Sequence, residues 1–327
     1  MKKILLASTA IVGGALMASS AAMAGNTTSG GNYSVSLGGI HRVEIAQYSH
    51  DRSTGNGRGY GIKQPFSEVW VKAKATADNG ITYGIDFEVE ARGDATEATD
   101  EAWAYLTSDQ WGRVEMGNQD GAQNRMMIQG HNALVATGGY FGGLGMLQFA
   151  GSNFGSANLL RRSDAMSVSL GGGGDATKLI YFTPRFSGFQ LGASLTPNMT
   201  TVGRASSDNN GSINNMWELG ANYVGKFGDV GVTVAATYMG SSDTDGASTG
   251  TTANQKENVK VWNVGAKVAV SGFTVAAGYQ DNGDTTLTKT LVTAGADMGK
   301  TWNVGLGYKT GPWGVSAGYH YGKRDLT

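Results

Sequence analysis

The residues of this chain with chemistry to offer are its ions, and they recur at every second position. Lys72 and Lys74 are separated by one apolar residue, as are Asp86 and Glu88, and Arg113 and Glu115. In an extended strand that spacing puts both members of a pair on one face. Arg42 and Glu44 repeat it earlier in the chain, with Glu68 and Lys178 as further wet-face ions, and Asp120 and Arg125 follow Glu115 at the root of the longest connection. Acids and bases opposed across a wet lumen make a transverse field, which sorts ions and orients dipolar solutes without breaking bonds. The candidate constriction is therefore Arg42, Glu44, Lys72, Lys74, Asp86, Glu88, Arg113, Glu115, Asp120 and Arg125. Arg92, beside a long loop, reads as an ordinary solvated charge.

Bond chemistry finds few supports. The four histidines are His41, His50, His131 and His320. Only His320 falls on a wet face, and neither an acid nor a serine is forced next to it, as nucleophilic catalysis would need. No H-E-x-x-H, spaced histidine cluster or EF-hand loop occurs. The stretch "GLGYKTG" (305–311) misses G-x-G-x-x-G by one residue and is not followed by a helix, and "GGGG" (171–174) lacks the lysine of a phosphate loop. With 0 cysteines, thiolate sites and disulfides are excluded. The expectation is no catalytic residue, no metal and no cofactor.

What positions the ions is a chain of period two. Tyr33, Val35, Leu37, Val43 and Ile45 oppose Ser34, Ser36, Gly38, Arg42 and Glu44, and Ile81 to Val89 oppose Thr82 to Arg92 in the same way. The alternation recurs over 188–197, 216–227, 230–240, 259–270, 272–280, 300–309 and 313–322. Thirteen strands are predicted and no helix beyond the first residues. Short connections (77–80, 108–112, 185–188, 225–229, 270–272, 309–313) alternate with long polar ones (49–65, 91–100, 120–164, 198–215, 241–258, 281–299). An antiparallel meander with one tight end and one ragged end is the pattern of a transmembrane β-barrel.

The polar face is rich in glycine, serine and asparagine, which fill a dry core badly and suit a water-filled lumen. The apolar face would then meet lipid. Aromatic residues fall near strand ends, as interfacial girdles require: Trp217, Phe227, Phe273, Tyr279, Trp302, Tyr308, Trp313 and Tyr319, with Tyr321 beside them.

Residues 1–24 read as a signal peptide, with Lys2 and Lys3 before an apolar stretch and Ala22-Met23-Ala24 as the cleavage site; residues 25–327 form the barrel domain. Without those two lysines the 25 basic residues become 23 against 26 acidic, a net charge near −3, which argues against nucleic acid as partner.

Three stretches carry a resemblance: "VWVKAKATADNGITYGIDFEVEA" (69–91), "DEAWAYLTSDQWGRVEMGNQDGA" (100–122) and "DATKLIYFTPRFSGFQLGASLTPN" (175–198). They resemble the general diffusion porins of Gram-negative outer membranes, in the branch common in alphaproteobacteria. The resemblance implies sixteen antiparallel strands, a homotrimer in outer-membrane lipid, and a long third loop folded inward to narrow the pore. It matches Arg113, Glu115 and Asp120 to porin positions. The expected function is passive diffusion of small hydrophilic solutes and ions; a pore preferring sugars or anions, and an adhesive or structural barrel, are the alternatives. The tail "KRDLT" reads as the start of an outward loop, so the chain is expected to lack about three C-terminal strands.

Overall fold

A computed structural model describes residues 25–30, 33–47, 60–91, 99–135, 174–199, 213–243 and 255–325. The signal peptide, His50, Arg92, the stretch 136–173 and Leu326-Thr327 lie outside the described residues, as do the side chains of Arg42, Glu44 and His320.

Fourteen strands form one sheet in sequence order, every neighbouring pair antiparallel. They are β1 (Gly25–Gly30), β2 (Tyr33–Gln47), β3 (Tyr60–Thr76), β4 (Thr82–Glu90), β5 (Thr99–Ser108), β6 (Gly112–Asn118) and β7 (Thr177–Phe182), then β8 (Phe189–Asn198), β9 (Asn214–Phe227), β10 (Val230–Asp243), β11 (Lys260–Val270), β12 (Phe273–Asp281), β13 (Asp297–Thr310) and β14 (Trp313–Asp325). Thirteen correspond to the strands read from periodicity. The fourteenth is β1, whose polar sequence GNTTSG has no alternation to detect and which is held by pairing with β2. The chain is an all-β transmembrane barrel wall.

β3 begins at Tyr60, inside the segment 49–65 expected to be loop. Its ladder with β2 steps from Arg42↔Phe66 to Glu44↔Lys63. Pro65 lies within that step, where a residue with no N–H costs no ladder bond. The six predicted tight turns are all present. Between β11 and β12, Ser271 and Gly272 both have positive φ (48° and 84°), the backbone of a two-residue hairpin turn that matches strand twist.

The large apolar side chains point away from the lumen. Leu37, Leu191, Leu219 and Leu306 are each about half exposed. Surface this apolar around a whole sheet requires lipid as its solvent. Trp217 stacks on Tyr238 at 5.0 Å, and Trp262–Tyr279 and Trp302–Tyr319 follow at 5.2 Å near the long-loop end. Phe189–Tyr223 (4.9 Å) and Phe273–Tyr308 (4.3 Å) mark the tight-turn end. Phe227 is ten positions past Trp217. At about 3.3 Å per residue and roughly 40° of tilt, that separation is about 25 Å, the height of a barrel's apolar band.

The lumen side departs from expectation in two ways. Its glycines do not simply face water: Gly265, Gly278, Gly305 and Gly307 lie directly under the backbone or side chains of Ile128, Gln129, Gly130 and Ala133, where a Cβ would collide. Glycine is there because a crossing chain needs backbone-to-backbone approach. Near the long-loop end the lumen face is also partly dry. Met199, Met216, Met239, Val261 and Met298 form a buried cluster, with Val292 of the short helix α2 (Lys289–Thr293) packed against it. Methionine fills irregular gaps of this kind.

Candidate functional site

The site is built where the connection after β6 turns back into the barrel. Its short helix α1 (Ala122–Met126) contacts β7 to β10, and the 3₁₀ turn Gly130–Ala133 contacts β12, β13 and β14. Fixed strand groups hold it. Ser194 Oγ accepts from the amide of Ala122 (3.2 Å) and Glu218 Oε2 from that of Gln123 (2.7 Å). Asn303 bonds the amide of Gly130 through its oxygen and Gln129 through its nitrogen, and Ser316 Oγ accepts from Val135 (3.1 Å). The root is clamped by Lys178, only 2% exposed, whose ammonium donates to the carbonyls of Gln119, Gly174 (2.5 Å) and Ala176 (2.7 Å). Lys178 is thus a post joining the two ends of the loop, not a base displayed to the pore.

Of the predicted constriction residues, Arg113, Glu115 and Arg125 are brought together. Glu115 on β6 is fully buried, takes Arg113 Nε on one oxygen, and is gripped by both terminal nitrogens of Arg125 from the loop. Arg113 lies over the ring of Tyr105 (3.8 Å to the centroid) and Arg125 over Phe182 (4.6 Å). Arg–carboxylate forks and cation–π contacts fix direction as well as charge. Lys72 forms a second group, 3.6 Å from both Asp86 and Glu88 and 5.6 Å from the centroid of Trp103. Lys74 is exposed two residues nearer the turn on the same face. Asp120 leaves this pair of groups; it stands at the loop root, its amide donating to Glu101 (3.3 Å). Arg42 and Glu44 are not placed.

Sequence reasoning missed the rings inside the lumen. Trp70, Trp103, Tyr105 and Phe182 share the inward face with Lys72 and Arg113, and Gly38 and Gly84 leave room for Trp70 and Tyr105. The signal was available: Trp103 and Tyr105 have the inward parity of Glu101. His41, which the sequence reading kept off the wet face, has its Nδ1 3.0 Å from Ser67 Oγ on the outward face. Ser67 is only 5% exposed, so the hydroxyl is poorly placed to attack a substrate.

Among the described residues, two clusters of three carboxylates have oxygens within 4.8 Å of one another: Glu68, Glu90 and Asp100, and Glu101, Asp120 and Asp175. Oxygen donors of this type suit a hard cation, though Lys178 already supplies positive charge beside the second group. Burial raises the carboxyls of Asp120 and Asp175, the latter to about 6 with Asp120 as a repelling neighbour. Burial also lowers His131, in the 3₁₀ turn, to about 4, so its ring is neutral at pH 7.

Comparison with known proteins gives one family. The family model described as Gram-negative porin matches residues 7–327. No curated protein sequence matches. Among solved structures, a porin aligns over 89% of this chain and 84% of its own, at 16% identity and a TM-score of 0.51. In vitro-folded OmpT from Vibrio cholerae, in its trimer form, aligns over 90% and 89% at 15% identity and TM-score 0.47. The anion-selective porin from Comamonas acidovorans aligns over 90% of each chain at 16% identity and TM-score 0.42. A meander with an apolar exterior, a lumen-crossing third loop and a family match over nearly every residue lead to one statement: the chain belongs to the Gram-negative porin family.

Proposed function

We propose that this outer-membrane porin passes small hydrophilic solutes through a constriction formed by Arg113, Glu115 and Arg125, with Lys72, Lys74, Asp86 and Glu88 beside them on β3 and β4 of the same stretch of wall. The observation that carries this is the joint grip of a wall arginine and a loop arginine on one buried carboxylate. It fixes the inward loop against the wall, and charge acts most strongly on a passing ion where such a loop narrows the lumen. The chain performs no bond chemistry in this reading, residues 1–24 are removed on export, and the subunit works as a homotrimer in lipid, as the porin resemblance implies.

Planar-bilayer recording tests it. Large ohmic steps are expected from the wild type, and Arg113→Glu shifts the reversal potential toward cations. Absence of conductance overturns the channel reading; an unmoved reversal potential removes Arg113 from the constriction.

A further inference from the structure

The lumen charges separate along the pore axis, not only across it. Position along each strand can be counted from its own tight turn. Lys74, Arg113, Lys226, Lys267 and Lys309 all lie within about four residues of their turns. Each shares the inward parity of a residue already placed there: Lys74 follows Lys72, Arg113 precedes Glu115, Lys226 follows Glu218, Lys267 follows Gly265 and Lys309 follows Asn303. Most inward acids of the strands lie farther from the turns. Glu68, Glu88, Glu90 and Glu101 occupy the long-loop half, joined by Asp120 and Asp175 at the root of the inward loop. The inward acids in the turn half, Glu115 and Asp86, are engaged by Arg113 with Arg125 and by Lys72. Exposure follows the same order: the side chains of Lys72, Arg113 and Arg125 are 41%, 30% and 33% exposed, and those of Asp86 and Glu115 are 11% and 0%. Among the described residues, the turn half therefore displays positive charge to the lumen, and the long-loop half gathers the carboxyls, in the two clusters of Glu68, Glu90 and Asp100 and of Glu101, Asp120 and Asp175, with Glu68 itself nearly buried.

We propose that the pore is electrically bipolar along its axis, acidic toward the long loops and basic toward the tight turns, and that it favours zwitterionic solutes such as short peptides. The proposal rests on the diffusion-channel reading. A cation is drawn into the acidic half and repelled by the basic one, and an anion meets the reverse, so each crosses a barrier. A solute with an ammonium and a carboxylate aligns with the axial field and is favoured in both halves. Glu68 stands six positions from Lys74 on β3, about 20 Å along the strand at roughly 3.3 Å per residue. A field of that length spans a tripeptide. Bipolarity also makes conduction asymmetric: one voltage drives cations in from the acidic end and anions in from the basic end, while the opposite voltage empties the lumen of both.

Two measurements on the full chain test this. In about 10 mM salt, where the Debye length is roughly 30 Å, channels inserted from one side are expected to rectify with a constant sign. In liposome swelling, triglycine is expected to enter at least about two-fold faster than either N-acetyl-triglycine or triglycine amide, probes of similar size carrying a single charge. Lys226→Glu, Lys267→Glu and Lys309→Glu combined reverse the basic half at half-buried or exposed positions away from the inward loop, and should abolish both effects. Symmetric currents, or equal entry of the three probes, overturn the proposal. Failure of a small neutral sugar to enter overturns the channel reading itself, which separates the two. If the triple variant does not fold, the wild-type currents and probe ranking still decide.

Discussion

Glu115 shows how much one carboxylate does in this pore. It is fully buried, yet both of its partners belong to the lumen, so it acts by aiming two guanidinium groups. Replacing Arg113 and Arg125 together with alanine strands a buried anion, at a cost of about 3 to 5 kcal/mol. Denaturant unfolding of the liposome-embedded protein measures it, and adding Glu115→Gln to that double variant should return most of the loss. Glu115→Gln alone keeps both cations and removes the negative charge between them, so the reversal potential should move toward anions. A shift toward cations would mean that the guanidinium groups leave the lumen once the carboxylate is gone. The pairing of Arg113 with Glu115 was legible from their i, i+2 spacing on one strand. The grip of Arg125 was not, because it depends on a loop returning to the wall ten residues later.

At the scale of elements, the inward loop and the glycine-bearing strands specify each other. The sequence shows the glycines of β11 to β13 plainly, but period-two reasoning could say only that they face inward; that a chain lies over them is a contact between distant segments. A Cβ at Gly305 would meet the carbonyl of Gly130. Gly305→Val is therefore expected to displace the 3₁₀ turn and raise single-channel conductance while the strands still assemble. Acid should act on the same loop with opposite signs at its two ends. His131 is lowered to about 4 by burial, below the usual 6.5. Between those values the unfolded segment binds a proton that the packed turn does not, so packing weakens as pH falls through that window. Asp175 is raised to about 6 from 3.8. Between those values the folded root holds the extra proton, so it is strengthened as pH falls from about 6 to 4. Hydrogen exchange, corrected for intrinsic rates, should be faster at 130–135 and slower at 119–121 at pH 5 than at pH 7.5. His131→Asn should remove the first change and leave the second.

For the molecule as a whole, strand order, the alternation of short and long connections and the apolar exterior were all legible, because each is local in sequence and repeats. β1 was not, since a strand without alternation is defined only by its partner, and neither was the dry methionine cluster, whose members come from five separate segments. The girdle rings read from the sequence all have outward parity, but the inward rings were not singled out. Trp302 has the outward parity of Val304 and Leu306, whereas Trp103 shares the face of Lys72, 5.6 Å from its ammonium. The two tryptophans therefore occupy opposite sides of one wall, and this division gives the barrel an inside-out test. In a variant with Trp302 as its only tryptophan, fluorescence should be strongly quenched by bilayers of brominated phospholipid and little affected by aqueous iodide. With Trp103 alone, lipid-borne bromine should have little effect and iodide should quench, because the ring borders water and a cation that draws the anion toward it. Reversed quenching would place the charged rows against lipid, where a midplane lysine or arginine costs about 2 to 4 kcal/mol. Six ionic residues on β3 and β4 (Glu68, Lys72, Lys74, Asp86, Glu88 and Glu90) would make such a wall far too costly to hold in a membrane.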